Sequence, residues 1–248
     1  MLALLFPGQG SQRPGMGRAW QGHPSWEVVD ELSDASGRDL AHLLVDAGAD
    51  VLRQTRNAQV ATFALSMLIL DAARRSALGE AGVAAGAGHS LGEYSALVAS
   101  GALDRAQGAR LVAERGEAMH EAATGRPGTM AAILGLDLPA VTRACAGVEG
   151  AWVANDNAPG QVVVAGTAAG VAQVSEAAVS SGARRVVALP VGGAFHTPLM
   201  QPAQDRLDAA LARTRWAPAS PPVVANVDAR PHTAGWPELL GAQLCAPV

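Results

Sequence analysis

The chain has 248 residues, 49% hydrophobic and 16% charged, enough apolar material for one large domain or two smaller ones, which excludes a disordered tail or a fibrous repeat. A formal charge of -4 and a pI near 5.8 leave no overall field that attracts nucleic acid or an anionic membrane, so neither is expected as a partner. All 18 basic residues are Arg, which removes Schiff-base lysines and the phosphate-binding lysine of a P-loop.

Leu2 to Phe6 is a continuous apolar run closed by Pro7-Gly8-Gln9-Gly10, a pattern that predicts a buried parallel strand followed by a glycine loop. This start has no basic leader and meets Pro7-Gly8 too early for an export signal. Helical patterns dominate to about Leu78. The longest apolar stretch, Val60 to Leu70, includes Thr62 and Ser66 and stops at Asp71. It falls well short of the ~20 residues needed to cross a bilayer, so it predicts a core helix. Val83 to Ala87 is small and apolar and runs into Gly88-His89-Ser90-Leu91-Gly92, after which Glu93 to Ser100 has helical composition. Gly101 breaks that helix. Asp104 can cap another, carrying Arg110, Arg115 and Met119 toward Ala123.

Between Thr124 and Leu189 the texture changes. Thr129 to Leu134 predicts a strand, Leu138 to Ala146 a helix, and Ala151 to Ala154 with Gln161 to Ala165 two strands around a turn at Asn155-Asp156-Asn157-Ala158-Pro159-Gly160. Ala168 to Ser181 follows as a helix and Arg185 to Leu189 as a strand. This βαββαβ order is that of a ferredoxin-like module. From Val191 to Asn226 helix and strand return, ending in Val223-Val224-Ala225. The expected architecture is α/β: an α/β-hydrolase-like parallel-sheet domain over 1–124 and 191–248, with a ferredoxin-like subdomain inserted at 125–190. Cys145 and Cys245 are isolated, with no CxxC and no His at zinc spacing, so no metal site is expected. They are expected to be packing residues in a reducing cytoplasm.

The segment Gly88-His89-Ser90-Leu91-Gly92 fits G-x-S-x-G, in which a serine on a strained strand-to-helix turn is held out of the sheet and glycines permit close backbone passage. The Leu91 N–H and the helix N-terminus would favour an oxyanion beside Ser90 Oγ. A plain capped turn has the same local pattern. Of six histidines, His89 adjoins Ser90 and is expected to pack, whereas His196 leaves a glycine-rich strand exit just before a helix, and is the candidate base. Asp137, Glu149 and Asp156 lie between Ser90 and His196, but none occupies a recognisable strand end, so no carboxylate is assigned to the imidazole. Arg115 would offer two parallel N–H donors to a substrate carboxylate, selecting a dicarboxylic acyl group, and Gly116 beside it would allow close approach. Gln9, Asn155 and Asn157 are turn formers, and ligand contacts only if their loops converge.

Taken together, Phe6-Pro7-Gly8-Gln9-Gly10-Ser11-Gln12, Gly88-His89-Ser90-Leu91-Gly92-Glu93-Tyr94-Ser95-Ala96, Arg115-Gly116, Asn155-Asp156-Asn157-Ala158-Pro159-Gly160-Gln161 and Gly193-Ala194-Phe195-His196 carry a resemblance. The chain resembles the malonyl-CoA:acyl carrier protein transacylases of type II fatty acid synthesis and, more broadly, polyketide synthase acyltransferase domains. The resemblance implies Ser90 as acyl-carrying nucleophile, His196 as its base, Arg115 as the malonyl carboxylate ligand, and the N–H groups of Gln9 and Leu91 as an oxyanion hole. It implies that the Gln243 carbonyl orients the imidazole, and that Leu91 and Phe195 are the malonyl-selective choices at their positions. Met119, Asn155 and Asn157 are further candidate pocket residues. The substrate would be malonyl-CoA and the acceptor the phosphopantetheine thiol of an acyl carrier protein, with no cofactor of the chain's own; the protein is expected to be a cytoplasmic monomer. Family members continue past the segment matching Pro247-Val248 with a glycine-proline-glycine turn and closing helices, so this chain is expected to be truncated or to have lost them.

Within the same chemistry, a malonyl transferase serving a malonate decarboxylase or a polyketide synthase is an alternative. A thioesterase or acyl hydrolase would share the elbow and histidine without needing Arg115, and a non-catalytic binding protein could keep the fold. Carrier proteins are acidic, so Arg74-Arg75 and Arg184-Arg185 are candidate docking residues.

Overall fold

The computed structural model describes residues 1–248 and places them in two compact units, Met1–Glu117 with Leu207–Leu239, and Ala118–Arg206 with Leu240–Val248. The borders expected from sequence, 124/125 and 190/191, differ from these. The observed first border falls inside a long helix, and the His196 loop goes with the second unit. Two close backbone approaches within that unit account for the placement of the loop. A Cβ on Gly128 would meet Ala194 Cβ at 2.6 Å, and one on Gly193 would meet Ala123 Cβ at 2.7 Å.

In chain order the first unit contains β1 (Leu2–Phe6), α1 (Glu27–Ser36), α2 (Leu40–Val45), α3 (Ala49–Arg53), α4 (Thr55–Arg74), β2 (Val83–Gly88), α5 (Gly92–Ala99) and the start of α6 (Arg105–Gly125). Strands β1 and β2 pair in parallel, with Phe6 opposite Gly88. This pairing brings the loops that leave both strands to the same sheet edge. Strand β1 is not the buried strand its apolar run predicts. It has β2 as its one neighbour in the sheet, and Leu5 stays 78% exposed at that edge. Helix α4 is buried along most of its length, as its apolar run predicts. Helix α6 begins where Asp104 Oδ1 accepts from Gln107 N at 3.0 Å.

The second unit continues with β3 (Thr129–Leu134), α7 (Leu138–Cys145), β4 (Ala151–Ala158), β5 (Gln161–Gly166), α8 (Ala168–Ser180) and β6 (Arg185–Ala188), after which α9 (Gln201–Arg213) leads back to the first unit. Its sheet is antiparallel, in the order β4-β5-β3-β6. The turn expected at Asn155-Asp156-Asn157 is strand instead. Residues Asn155 to Ala158 stay in register with β5 through two irregularities, and the reversal is confined to Pro159-Gly160. Three polar residues in a row read as turn, but the ladder to the apolar Val162-Val163-Val164 outweighs their propensity. Asp137 and Thr167 cap α7 and α8 through side-chain oxygens. The two helices press Val141, Val171 and Val174 onto Ile133, Val162 and Val164, each burial contributing about 2 kcal/mol.

The first unit closes with β7 (Val223–Val224), parallel to β2, β8 (Pro231–His232), antiparallel to β7, and the first half of α10 (Trp236–Gln243). The first sheet therefore runs β1-β2-β7-β8, a mixed α/β arrangement with a parallel centre. Val248 exchanges two backbone hydrogen bonds with β4, Val248 N to Ala154 O and Asp156 N to Val248 O. Cys145 and Cys245 are half-buried, and burial pushes the Cys145 pKa up. No helix is long and apolar enough to cross a membrane.

Candidate active site

Ser90 stands where β2 ends and α5 begins, with φ 50°, a left-handed backbone that a non-glycine residue adopts only under constraint. The constraint is steric on both sides. A Cβ on Gly88 would lie 1.9 Å from the carbonyl carbon of Gly92, and one on Gly92 would lie 2.3 Å from Phe6 O. It is also electrostatic. Asn226, two residues beyond β7, accepts from Ser90 N at 2.6 Å and donates from Nδ2 to Gly88 O at 2.7 Å. Asn226 N in turn donates to Glu93 Oε2 at 3.3 Å. Leu91 is fully buried and forms the N-cap of α5, so its N–H lies at the positive end of that helix.

Arg115 projects from α6 and is fully buried. Its Nη2 donates to Ser90 Oγ at 2.8 Å, and its Nη1 donates to Gln59 Oε1 on α4. Gln59, also buried, donates from Nε2 to Gln9 Oε1 at 2.9 Å. The guanidinium carbon lies 5.6 Å from the centre of the Tyr94 ring. Burial lowers the Arg115 pKa from its ordinary value, while Tyr94 and Glu93 oppose that shift. Burial likewise raises the Tyr94 hydroxyl far above the usual tyrosine range, so Tyr94 stays neutral beside the cation. Glu93, itself almost fully buried, supplies the negative field for this charge. Gly116 does permit a close approach: a Cβ there would meet Arg56 Cα at 3.1 Å and Gln59 Cβ at 3.3 Å, so it keeps α6 tight against α4.

In the second unit His196 also has positive φ, 60°, in the loop before α9. Its Nδ1 lies 2.8 Å from the main-chain oxygen of Gln243. A carbonyl can only accept, so Nδ1 carries the proton and the basic lone pair is on Nε2. This bond does what a triad carboxylate does for tautomer and ring orientation, and none of Asp137, Glu149 or Asp156 provides it. Thr197 Oγ1 donates to Ala194 O at 2.6 Å and pins the turn that carries the histidine.

The structure thus joins Ser90 directly to Arg115 and, through Gln59, to Gln9, with Leu91 adjacent, all in the first unit. It joins His196 to Gln243 in the second unit, which also holds Met119, Asn155, Asn157 and Phe195. Met119, Asn155 and Phe195 are buried and Asn157 is exposed. His89, expected to pack, is exposed, because its neighbours Gly88 and Ser90 turn inward at the elbow. Of the arginine pairs, Arg75 is engaged by Asp71 and Glu27, and Arg74 donates to Ala99 O, whereas Arg184 and Arg185 are exposed. Sequence reasoning missed Gln59, Tyr94, Glu93 and Asn226. The signals were present: a glutamine inside an apolar helix, an acid and a tyrosine just after an elbow, and an asparagine just past a core strand. No cluster of three or more His, Cys, Asp or Glu side chains is placed to hold a metal ion.

Residues 3–236 match the acyl transferase domain family. A malonyl CoA-acyl carrier protein transacylase of Bacillus subtilis is 42% identical over the whole chain, which spans 80% of that relative. Among solved structures, an acyl-carrier-protein S-malonyltransferase from Bartonella henselae is 39% identical with a TM-score of 0.93, covering 100% of this chain and 82% of that one. A type II polyketide synthase acyl carrier protein in complex with its malonyl transacylase matches with a TM-score of 0.93 at 37% identity, covering 99% of this chain and 81% of the other.

Proposed function

The chain belongs to the acyl transferase domain family, and on that premise we propose that it moves a malonyl group from malonyl-CoA to an acyl carrier protein through an ester on Ser90. The observation that carries the reading is the hydrogen bond between Arg115 Nη2 and Ser90 Oγ. It sets a buried cation directly beside the nucleophile, which suits a short acyl group with a carboxylate at its far end. An acyl hydrolase has no use for a buried guanidinium there.

In the mechanism we assign, His196 Nε2 takes the Ser90 hydroxyl proton as Oγ attacks the thioester carbonyl. The negative oxygen of the tetrahedral intermediate is held by the N–H groups of Gln9 and Leu91, each donor worth about 3 kcal/mol. The intermediate collapses, the carbon–sulfur bond breaks, and coenzyme A leaves as the thiol with the proton from the imidazolium. The phosphopantetheine thiol of the carrier then attacks the ester, giving its proton to His196, and serine is released with that proton. Arg115 holds the malonyl carboxylate throughout and keeps the ester oriented for the thiol. Met119, Asn155, Asn157 and Phe195 would line the acyl and pantetheine path. No cofactor of the chain's own enters these steps.

The second unit has the βαββαβ order and the β4-β5-β3-β6 sheet of a ferredoxin-like module, and we read it as an insertion in an α/β-hydrolase-like domain. The setting we assign is cytoplasmic fatty acid synthesis. The polyketide-carrier complex among the similar structures keeps a polyketide carrier as the second reading. Incubation with malonyl-CoA and each phosphopantetheinylated carrier tests both. Malonyl carrier should form faster than free malonate, and the faster acceptor names the pathway; release of free malonate with no malonyl carrier would make the protein a hydrolase.

A further inference from the structure

We infer that Gln59 is a positioning residue for the acyl-chain grip, one amide that orients the Arg115 guanidinium while its other end is held by the Gln9 side chain. The inference rests on the malonyl-transfer reading above and deepens it. A primary amide has one acceptor oxygen and two donor hydrogens, so its two ends are not interchangeable. Here the oxygen accepts from Arg115 Nη1 and the nitrogen donates to Gln9 Oε1 at 2.9 Å. The cation fixes the flip, because turning the amide over would aim its N–H donors at a guanidinium that has no acceptor. With the flip fixed, the Gln9 side chain receives a donor in one direction only. The Gln9 loop is thereby tied to the residue that holds the substrate carboxylate.

The bond also defines the guanidinium plane. Nη1 is engaged by Gln59 and Nη2 by Ser90 Oγ, so an incoming carboxylate meets a fork already oriented toward the nucleophile. Gln59 is buried on α4, and Gly116 lets α6 approach that helix closely enough for the bond to form. Helix spacing and acyl selectivity therefore meet at one side chain.

The test compares malonyl-CoA and acetyl-CoA as donors to the same carrier for wild type, Gln59→Ala, Gln59→Glu and Gly116→Ala, with thermal unfolding of each. Gln59→Ala should lower kcat/KM for malonyl-CoA roughly tenfold or more, mainly through KM, the scale of a lost hydrogen bond to a charged group, and for acetyl-CoA about threefold or less. Gln59→Glu keeps the side-chain volume, exchanges the donor to Gln9 Oε1 for an acceptor that the Gln9 amide can meet by turning over, and places an internal carboxylate against Arg115 that competes with malonate. Its malonyl KM should rise further than that of the alanine variant while acetyl transfer changes little. Gly116→Ala should shift the donor ratio in the same direction, because the added methyl presses on Gln59 Cβ. Equal loss for both donors in Gln59→Glu, or an unchanged malonyl KM, would overturn the inference. Failure of the wild type to malonylate any carrier would instead overturn the reading on which it rests.

Discussion

Arg115 Nη2 donates to Ser90 Oγ at 2.8 Å, so a buried cation and the nucleophile of the elbow are direct partners. A carboxylate three carbons from a thioester sulfur can satisfy the first while its carbonyl meets the second.

Arg115→Ala should separate the two kinds of donor. A bidentate, charge-assisted contact of about 3 kcal/mol corresponds to roughly a hundredfold loss in kcat/KM for malonyl-CoA. Acetyl-CoA, which has no carboxylate to lose, should change only a few-fold. Steady-state transfer to one carrier with both donors measures this, and a common factor for the two would remove Arg115 from its role.

The malonyl-to-acetyl preference should not vary with pH in the neutral range. Burial lowers the Arg115 pKa, and a cation whose pKa is lowered keeps its charge at low pH and loses it only as pH rises through the shifted value. Tyr94 is raised and remains neutral throughout. A carboxylate is ionised above about pH 5, so the ratio of kcat/KM values should be flat from about pH 6 to about pH 9 and fall only in strong alkali. A sigmoidal step near neutrality would point to a histidine instead.

Asn226→Ala should damage chemistry without altering donor choice. It removes the acceptor for Ser90 N and the donor to Gly88 O that hold the left-handed serine in place. Misplacing a nucleophile by about 1 Å can cost about a hundredfold, so kcat should fall by up to that factor with malonyl and acetyl donors alike. Parallel kinetics with both donors would show it, and a selective loss of malonyl transfer would contradict it.

Gly88→Ala should be among the most destabilising single changes. The added methyl would sit 1.9 Å from a backbone carbon of α5, where no side-chain rotation can relieve it. Denaturant unfolding should report a loss of about 3 kcal/mol, the upper range for overpacking. Retention of wild-type stability would mean that the strand-to-helix turn relaxes more freely than its geometry allows.

Much of this arrangement was legible in the residues, and the exceptions have physical causes. The strand–elbow–helix at Val83 to Ser100 and the role of Asp104 as a cap follow from local rules, and they stand where expected. The exposure of β1 could not be read from an apolar run, because burial depends on how many strands lie beside it, which is a property of the whole sheet. The strand through Asn155 to Asn157 was hidden by turn-forming side chains that a neighbouring valine ladder overrides. Gln59 and Asn226 were invisible for a different reason. Each acts through hydrogen bonds to residues about 50 to 140 positions away, and no local pattern encodes those partners.

The intact mass of the protein after brief exposure to malonyl-CoA without a carrier tests malonyl transfer through Ser90 most directly. One malonyl group should be found, mapped to the peptide containing Ser90, absent from Ser90→Ala, and discharged when a phosphopantetheinylated carrier is added. An unmodified mass for the wild type, or an adduct that persists in Ser90→Ala, would contradict it.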